Sequence, residues 1–292
     1  MHFSSGINRP PYEAQDAYLQ ITSGCSHGKC EFCTFYKETP FKLSPLAEIE
    51  EDIKELRDSS WQFDRIYLQG ADPFIRTYED LMKIADMIHR YLPQVTSIGG
   101  YARVDNLKNK TVKQLKSLKD TGYSYFYFGM ESGDNKLLDR MNKGYHSDTI
   151  IEQCQKMDAA GMLYIGNFLG GLGGHGWGLG HARETARVLN ELQPALVYAS
   201  ELTLFPDTPL SKDVELGKFS EASELERLEE MQEFIRCLKT ATVFKAEHVT
   251  IPVPIYGKIP EDKEKMIDKL QKVIDMQDEN SLKKYRAGVR SL

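Results

Sequence analysis

The chain has 292 residues, 41% hydrophobic and 27% charged, which suits a globular protein of one large domain or two small ones. Collagen-like, disordered and membrane-spanning classes fall away, since no stretch approaches the roughly 18 apolar residues of a membrane helix. The 37 basic against 43 acidic residues, net -6 and spread along the chain, argue against nucleic acid as a main partner, because phosphate binding needs a basic surface.

Short apolar runs alternate with amphipathic stretches, the pattern of βα units around a parallel sheet. Strands are expected at 17–21, 65–69, 97–103, 123–130, 162–169 and 196–204. The helices between them are expected from Ser44-Pro45, read as N-cap and first helical residue, to Leu56, and then at 78–91, 112–120, 134–141, 147–160 and 181–192. Six such units predict an α/β fold, a partial (β/α)6 TIM-like barrel with function at the carboxyl ends of its strands.

The remainder has a different character. Ser223 and Glu226 form a capping box for a helix running to Leu238. Residues 248–260 are extended and proline-punctuated, and a charged amphipathic helix follows over 262–276. The expected division is a core barrel over 12–215 and a short C-terminal extension over 216–292, packed on the barrel. The first residues, Met1-His2-Phe3-Ser4-Ser5-Gly6, lack the basic-then-apolar pattern of a secretion signal, so a cytoplasmic protein is expected.

Five cysteines are few, and an odd number argues against a disulfide framework. Cys25, Cys30 and Cys33 fall in one loop directly after the first expected strand, while Cys154 and Cys237 lie in helical patterns and read as buried core residues. Three soft thiolates suit zinc, copper(I) or an iron–sulfur cluster. Zinc needs a fourth ligand, such as His27, whereas a four-iron cubane held by three cysteines keeps one iron open. On the thiolates alone these readings stay open, beside that of simple reactive thiols.

The run Gly24-Cys25-Ser26-His27-Gly28-Lys29-Cys30-Glu31-Phe32-Cys33 resembles the cluster loop of the radical S-adenosylmethionine (radical SAM) superfamily, with one additional residue in the first gap. Further landmarks follow in order at successive strand ends. Gly70-Ala71-Asp72-Pro73 resembles the Gly-Gly-Glu-Pro motif that receives the SAM amino group, with aspartate in place of glutamate. Tyr101-Ala102-Arg103-Val104-Asp105, Gly129-Met130-Glu131-Ser132-Gly133 and Met141-Asn142-Lys143-Gly144 resemble the branch containing tRNA methylthiotransferases and oxygen-independent coproporphyrinogen oxidases.

The resemblance implies a [4Fe-4S] cluster on Cys25, Cys30 and Cys33. It further implies SAM contacts from Phe32, Gly70, Asp72, Arg103, Glu131, Lys143 and Asn167, with Phe32 against the adenine and Asn167 near the ribose. The implied chemistry is reductive cleavage of SAM to a 5′-deoxyadenosyl radical, which takes hydrogen from a small-molecule substrate. A low-potential donor such as flavodoxin or ferredoxin would supply the electron. With no further clustered cysteines, sulfur insertion from a second cluster is not expected.

Blander readings stand beside these. Asp72 before Pro73 also suits a turn, Glu131 a helix cap, and Arg103 and Lys143 a solvated surface. Gly171-Leu172-Gly173-Gly174-His175-Gly176 matches the dinucleotide fingerprint, with Glu201 downstream, which leaves a NAD-type oxidoreductase as one alternative. A non-catalytic, zinc-stabilised binding protein is the other. His175 and His181 flank the glycine loop and read as structural or solvated.

Overall fold

The computed structural model describes residues 1–4 and 6–289, so the last three residues of the expected 216–292 extension and Ser5 lie outside the described residues. The strands are β1 (Ala17–Gln20), β2 (Thr22–Ser23), β3 (Lys42–Leu43), β4 (Arg65–Gln69), β5 (Ser97–Ala102), β6 (Phe126–Glu131), β7 (Tyr164–Gly170), β8 (Leu196–Glu201), β9 (Thr242–Ala246) and β10 (Ile255–Ile259). The helices are α1 (Leu46–Asp58), α2 (Tyr78–Tyr91), α3 (Val112–Asp120), α4 (Asn135–Arg140), α5 (Ser147–Ala160), α6 (Gly178–Leu189), α7 (Pro209–Glu215), α8 (Glu224–Cys237), α9 (Lys263–Asp275) and α10 (Glu279–Ala287). The fold is α/β with an eight-stranded, mostly parallel sheet, as the alternating pattern predicts. Among the described residues no helix is long and apolar enough to cross a membrane.

Two compact units make up the chain. The first comprises Met1–Gly28, Phe35–Gly129 and Glu152–Ile165. In it β1, β4, β5 and β6 pair in that order, all parallel, with Tyr18 opposite Tyr67 and Gln20 opposite Gln69. Side chains alternate along a strand, so Arg65, Tyr67 and Gln69 share one face of β4 and the fully buried Ile66 and Leu68 the other. Tyr67, Tyr101 and Tyr127 form an edge-to-face ladder across β4, β5 and β6, with ring centroids 5.7 and 5.3 Å apart. On α2, Leu81, Ile84, Ala85 and Ile88 form a buried stripe at helical spacing. The helix is capped by the Thr77 hydroxyl, which accepts from the Asp80 amide at 3.1 Å.

Most ends in this unit fall within two residues of expectation, and two starts differ for a definite physical reason. Helix α1 is capped by Pro45 without a side-chain bond, not by Ser44. The Ser44 amide instead donates to Ile21 O at 3.1 Å, which draws that residue into the base of the β2–β3 hairpin. Strand β6 starts later than expected because Tyr125 takes φ +53°, leaving Tyr123 as an isolated bridge to Ile98.

The second unit comprises Lys29–Thr34, Met130–Ile151 and Gly166–Leu292. Here β8 runs parallel to β9, and β9 pairs antiparallel with β10, so part of the expected C-terminal extension joins the sheet. Helix α8 carries the expected capping box: the Glu226 amide donates to Ser223 Oγ at 3.2 Å, and the Ser223 amide to Glu226 Oε2 at 2.8 Å. Its Phe234 stacks on Phe168 of β7 with centroids 4.0 Å apart. Helix α6 begins and ends three residues earlier than expected. Strand β9 and helices α7 and α10 have no counterpart among the expected elements.

Candidate functional site

In the first unit the hairpin pairs Thr22 with Leu43 and Ser23 with Lys42, and the cysteine loop departs between them. Gly24 has φ +64°, and a Cβ there would meet Thr39 O at 2.4 Å and the Phe41 amide nitrogen at 2.8 Å, so only glycine lets the returning chain pass this close. Cys25 is partly exposed, and its Sγ accepts from the Gly28 amide at 3.4 Å.

The turn after β4 meets this loop directly. The Ala71 amide donates to Gly24 O at 3.1 Å, and Asp72 accepts from both the amide and the hydroxyl of Ser26. Asp72 is fully buried and caps the Pro73–Ile75 turn. Burial pushes its carboxyl above the usual range, against the opposing pull of Ser26, Arg103 and Asn106. Gly70 has φ +107°, and a Cβ there would lie 2.3 Å from Thr22 Oγ1. Arg103 is buried and grips Asp105 with Nε and Nη2, each at 3.0 Å, while its amide donates to Asn106 Oδ1.

In the second unit Cys30 and Cys33 share one turn, with the Cys33 amide donating to Cys30 O at 3.4 Å. The residues between them are pinned from both sides. The Glu31 amide donates to Met141 O at 3.1 Å, and Glu31 O accepts from the Leu210 amide at 3.0 Å. Phe32 packs on the core cluster of Met141, Leu169, Leu172, Leu202, Leu210 and Phe219.

Three further candidates in this unit converge. Glu131 closes β6 at φ +65°, a conformation uncommon for a long side chain. One of its oxygens accepts from Lys143 Nζ at 3.0 Å and the other from Asn167 Nδ2. All three residues are buried, and Asn167 Oδ1 has no hydrogen-bond partner. The cap of α4 is Asp134, so Glu131 is not serving as a helix cap. Among the described residues no three cysteine, histidine or carboxylate side chains are gathered to hold a metal ion.

The remaining sequence features have structural employment. Four of the glycine-loop amides are engaged: Gly171 donates to Glu230 at 2.6 Å, Gly174 to Gly171 O at 3.1 Å, His175 to Ser220 O at 2.8 Å and Gly176 to Glu226 at 2.9 Å. Two carboxylates thus face the loop where a dinucleotide would bring pyrophosphate, and like charges repel. Glu201, the candidate ribose ligand of that reading, is buried and bonded to Arg286. His181 is buried against Phe168 and bonded to Glu230 at 2.6 Å, whereas His175 is exposed and paired with Glu226. Cys154 is fully buried as expected. Cys237 is not, because it ends α8 and is half-exposed beside Glu233. Ser26, Asn106 and Asp105, which hold Asp72 and Arg103, were not among the sequence candidates. Their only signal was proximity in sequence to Cys25 and Arg103.

The radical SAM superfamily profile matches residues 19–189. The heme chaperone HemW of Bacillus subtilis is 25% identical over 52% of this chain and 41% of its own length. The threonylcarbamoyladenosine tRNA methylthiotransferase MtaB of Rickettsia prowazekii is 26% identical over 49% of this chain and 35% of its own. The chain therefore spans well under half of either relative. Among solved structures, the radical SAM methyltransferase TsrM from Kitasatospora setae, with cobalamin and a [4Fe-4S] cluster bound, superposes with TM-score 0.56 at 17% identity, covering 69% of this chain and 37% of that one. Coproporphyrinogen III oxidase (HemN) from Escherichia coli gives TM-score 0.54 at 14% identity, covering 76% and 51%. At such identities the structural likeness speaks for the fold. The profile match covers more than half of the chain and carries the family: this chain belongs to the radical SAM superfamily.

Proposed function

We propose that this chain is a radical SAM enzyme whose Cys25, Cys30 and Cys33 hold a [4Fe-4S] cluster and whose strand ends bind SAM. The observation that carries the reading is the joint between the cysteine loop and the Asp72 turn, a buried carboxylate bonded to the residue next to Cys25. The donor chemistry fits the group. Three partly exposed thiols suit a soft cluster, and the unpartnered Asn167 Oδ1 awaits a donor. Cluster and SAM together supply one-electron cleavage of a carbon–sulfur bond and radical chemistry at the resulting carbon.

The chain's own part is binding and orientation. Asp72 accepts from the SAM ammonium, which compensates its burial. Arg103, already oriented by Asp105, presents positive charge toward the carboxylate. Lys143 and Asn167 are held by Glu131, so Asn167 offers its carbonyl oxygen to a ribose hydroxyl, and Phe32 supplies an apolar surface for the adenine. The substrate is a small molecule, the electron comes from a low-potential donor such as flavodoxin or ferredoxin, and the net charge of -6 disfavours nucleic acid. The compartment proposed is the cytoplasm, where thiols stay reduced.

The test is anaerobic reconstitution with iron and sulfide. A brown chromophore should form, and SAM with dithionite should yield 5′-deoxyadenosine. Cys30→Ala should abolish both. A colourless protein carrying one zinc per chain would overturn the proposal.

A further inference from the structure

Arg76 follows the Pro73–Ile75 turn, and its side chain is only 2% exposed. Nε donates to Ile21 O at 2.9 Å, Nη2 donates to Ser44 O, and Nη1 donates to the Asp80 carboxylate at 3.0 Å. Ile21 and Ser44 are the two feet of the cysteine hairpin, where the chain leaves β1 and where it returns to α1. The feet are also bonded to each other, Ser44 N–H to Ile21 O. The other end of the Pro73–Ile75 turn is Asp72, bonded to Ser26. One guanidinium therefore ties both feet of the hairpin to the turn that carries the carboxylate.

Burying this cation is costly unless its donors are matched, and burial does lower its pKa. Three acceptors in three directions suit the planar fork of arginine and not the single ammonium of lysine. We propose that Arg76 is a positioning residue that fixes the hairpin bearing Cys25 against the Asp72 turn, presetting the spacing between thiolate and carboxylate. This rests on the reading of the hairpin as the cluster loop.

The test begins without any cluster. Hydrogen exchange of the iron-free protein is compared for wild type, Arg76→Lys and Arg76→Met at the amides of Ser44 and Ala71, which are bonded to Ile21 O and Gly24 O. Arg76→Met should speed both on the order of tenfold while α8 stays protected, with Arg76→Lys between. After reconstitution, KM for SAM should rise in the same order while kcat changes little. Unchanged local exchange in Arg76→Met overturns the proposal. Should that variant fail to fold, Arg76→Lys decides, and wild-type exchange and KM in it would be equally fatal. If wild type itself takes up no iron, the cluster reading falls while the exchange result still stands, so the two failures are distinguishable.

Discussion

The buried trio of Glu131, Lys143 and Asn167 makes a sharp prediction. Each carboxylate oxygen accepts from a different donor, Lys143 Nζ at 3.0 Å and Asn167 Nδ2. Glu131→Gln preserves shape but leaves a single acceptor oxygen, so its new amide nitrogen must face either an ammonium or another amide nitrogen. An unsatisfied buried donor costs about 1–3 kcal/mol, and breaking a buried ion pair about 3–5 kcal/mol. The side chains of Glu131 and Lys143 are 11% and 7% exposed, so some solvent relief is available and about 2–4 kcal/mol is expected. At a urea m-value of roughly 3 kcal/mol/M this moves the midpoint down by about 1 M. The assay is urea unfolding of the iron-free protein under reductant, following the transition that includes β6 and β7. Pairing the change with Lys143→Met should recover part of the loss, since the orphaned ammonium is then gone. A midpoint shift in Glu131→Gln below about 0.2 M would show that the trio does not act as a buried ion pair and refute the reasoning.

Asp16 shares Arg65 with Glu13, and burial together with Glu13 raises its pKa to about 8. A raised carboxyl stabilises the fold at low pH, so stability should fall as pH climbs from about 4 to about 8, and Asp16→Asn should flatten that slope in pH-resolved thermal unfolding. Lys110 donates to Phe74 O and Asn106 O, and burial beside Lys156 lowers its pKa to about 8. Its sign is the reverse of that for Asp16. Between about pH 8 and 10.5 the unfolded chain binds the extra proton, so stability should rise with pH, and Lys110→Met should abolish the rise. Gly70→Ala would force a side chain into φ +107° and against Thr22, costing at least about 1–3 kcal/mol in denaturant titration.

Sequence periodicity located the parallel strands because local signals dominate there. The apolar β4 and the stripe on α2 are readable from their own residues. Failures arose where partners lie far away in the chain. β9 is short and pairs with β8 across an intervening helix pair, and α10 exposes most of its surface, so neither carries a strong pattern of its own. Ser44 looked like a helix cap, but the pull of Ile21 and Arg76 wins. In the site, Asp72 and Glu131 were legible from their positions at strand ends. The bond of Ser26 to Asp72, and the bonds of Arg76 to Ile21 O and Ser44 O, join segments far apart in sequence, and such contacts leave no local signal. The glycine loop misled in the opposite direction, since its spacing is real but the amides of Gly171 and Gly176 are occupied by glutamates from α8.

The antiparallel β10 has a bearing on solution behaviour. Among the described residues it pairs only with β9, and unpaired strand edges recruit strands from other molecules, but the Lys258 amide donates to Asp262 Oδ2 at 2.9 Å and its carbonyl accepts from the Asp262 amide at 2.8 Å. This edge is blunted. It is only five residues long, Pro254 precedes it and Pro260 follows it, and Lys258 stands exposed on it beside Tyr256. A charged, proline-bounded edge of this length offers an incoming chain too few pairing sites to template aggregation.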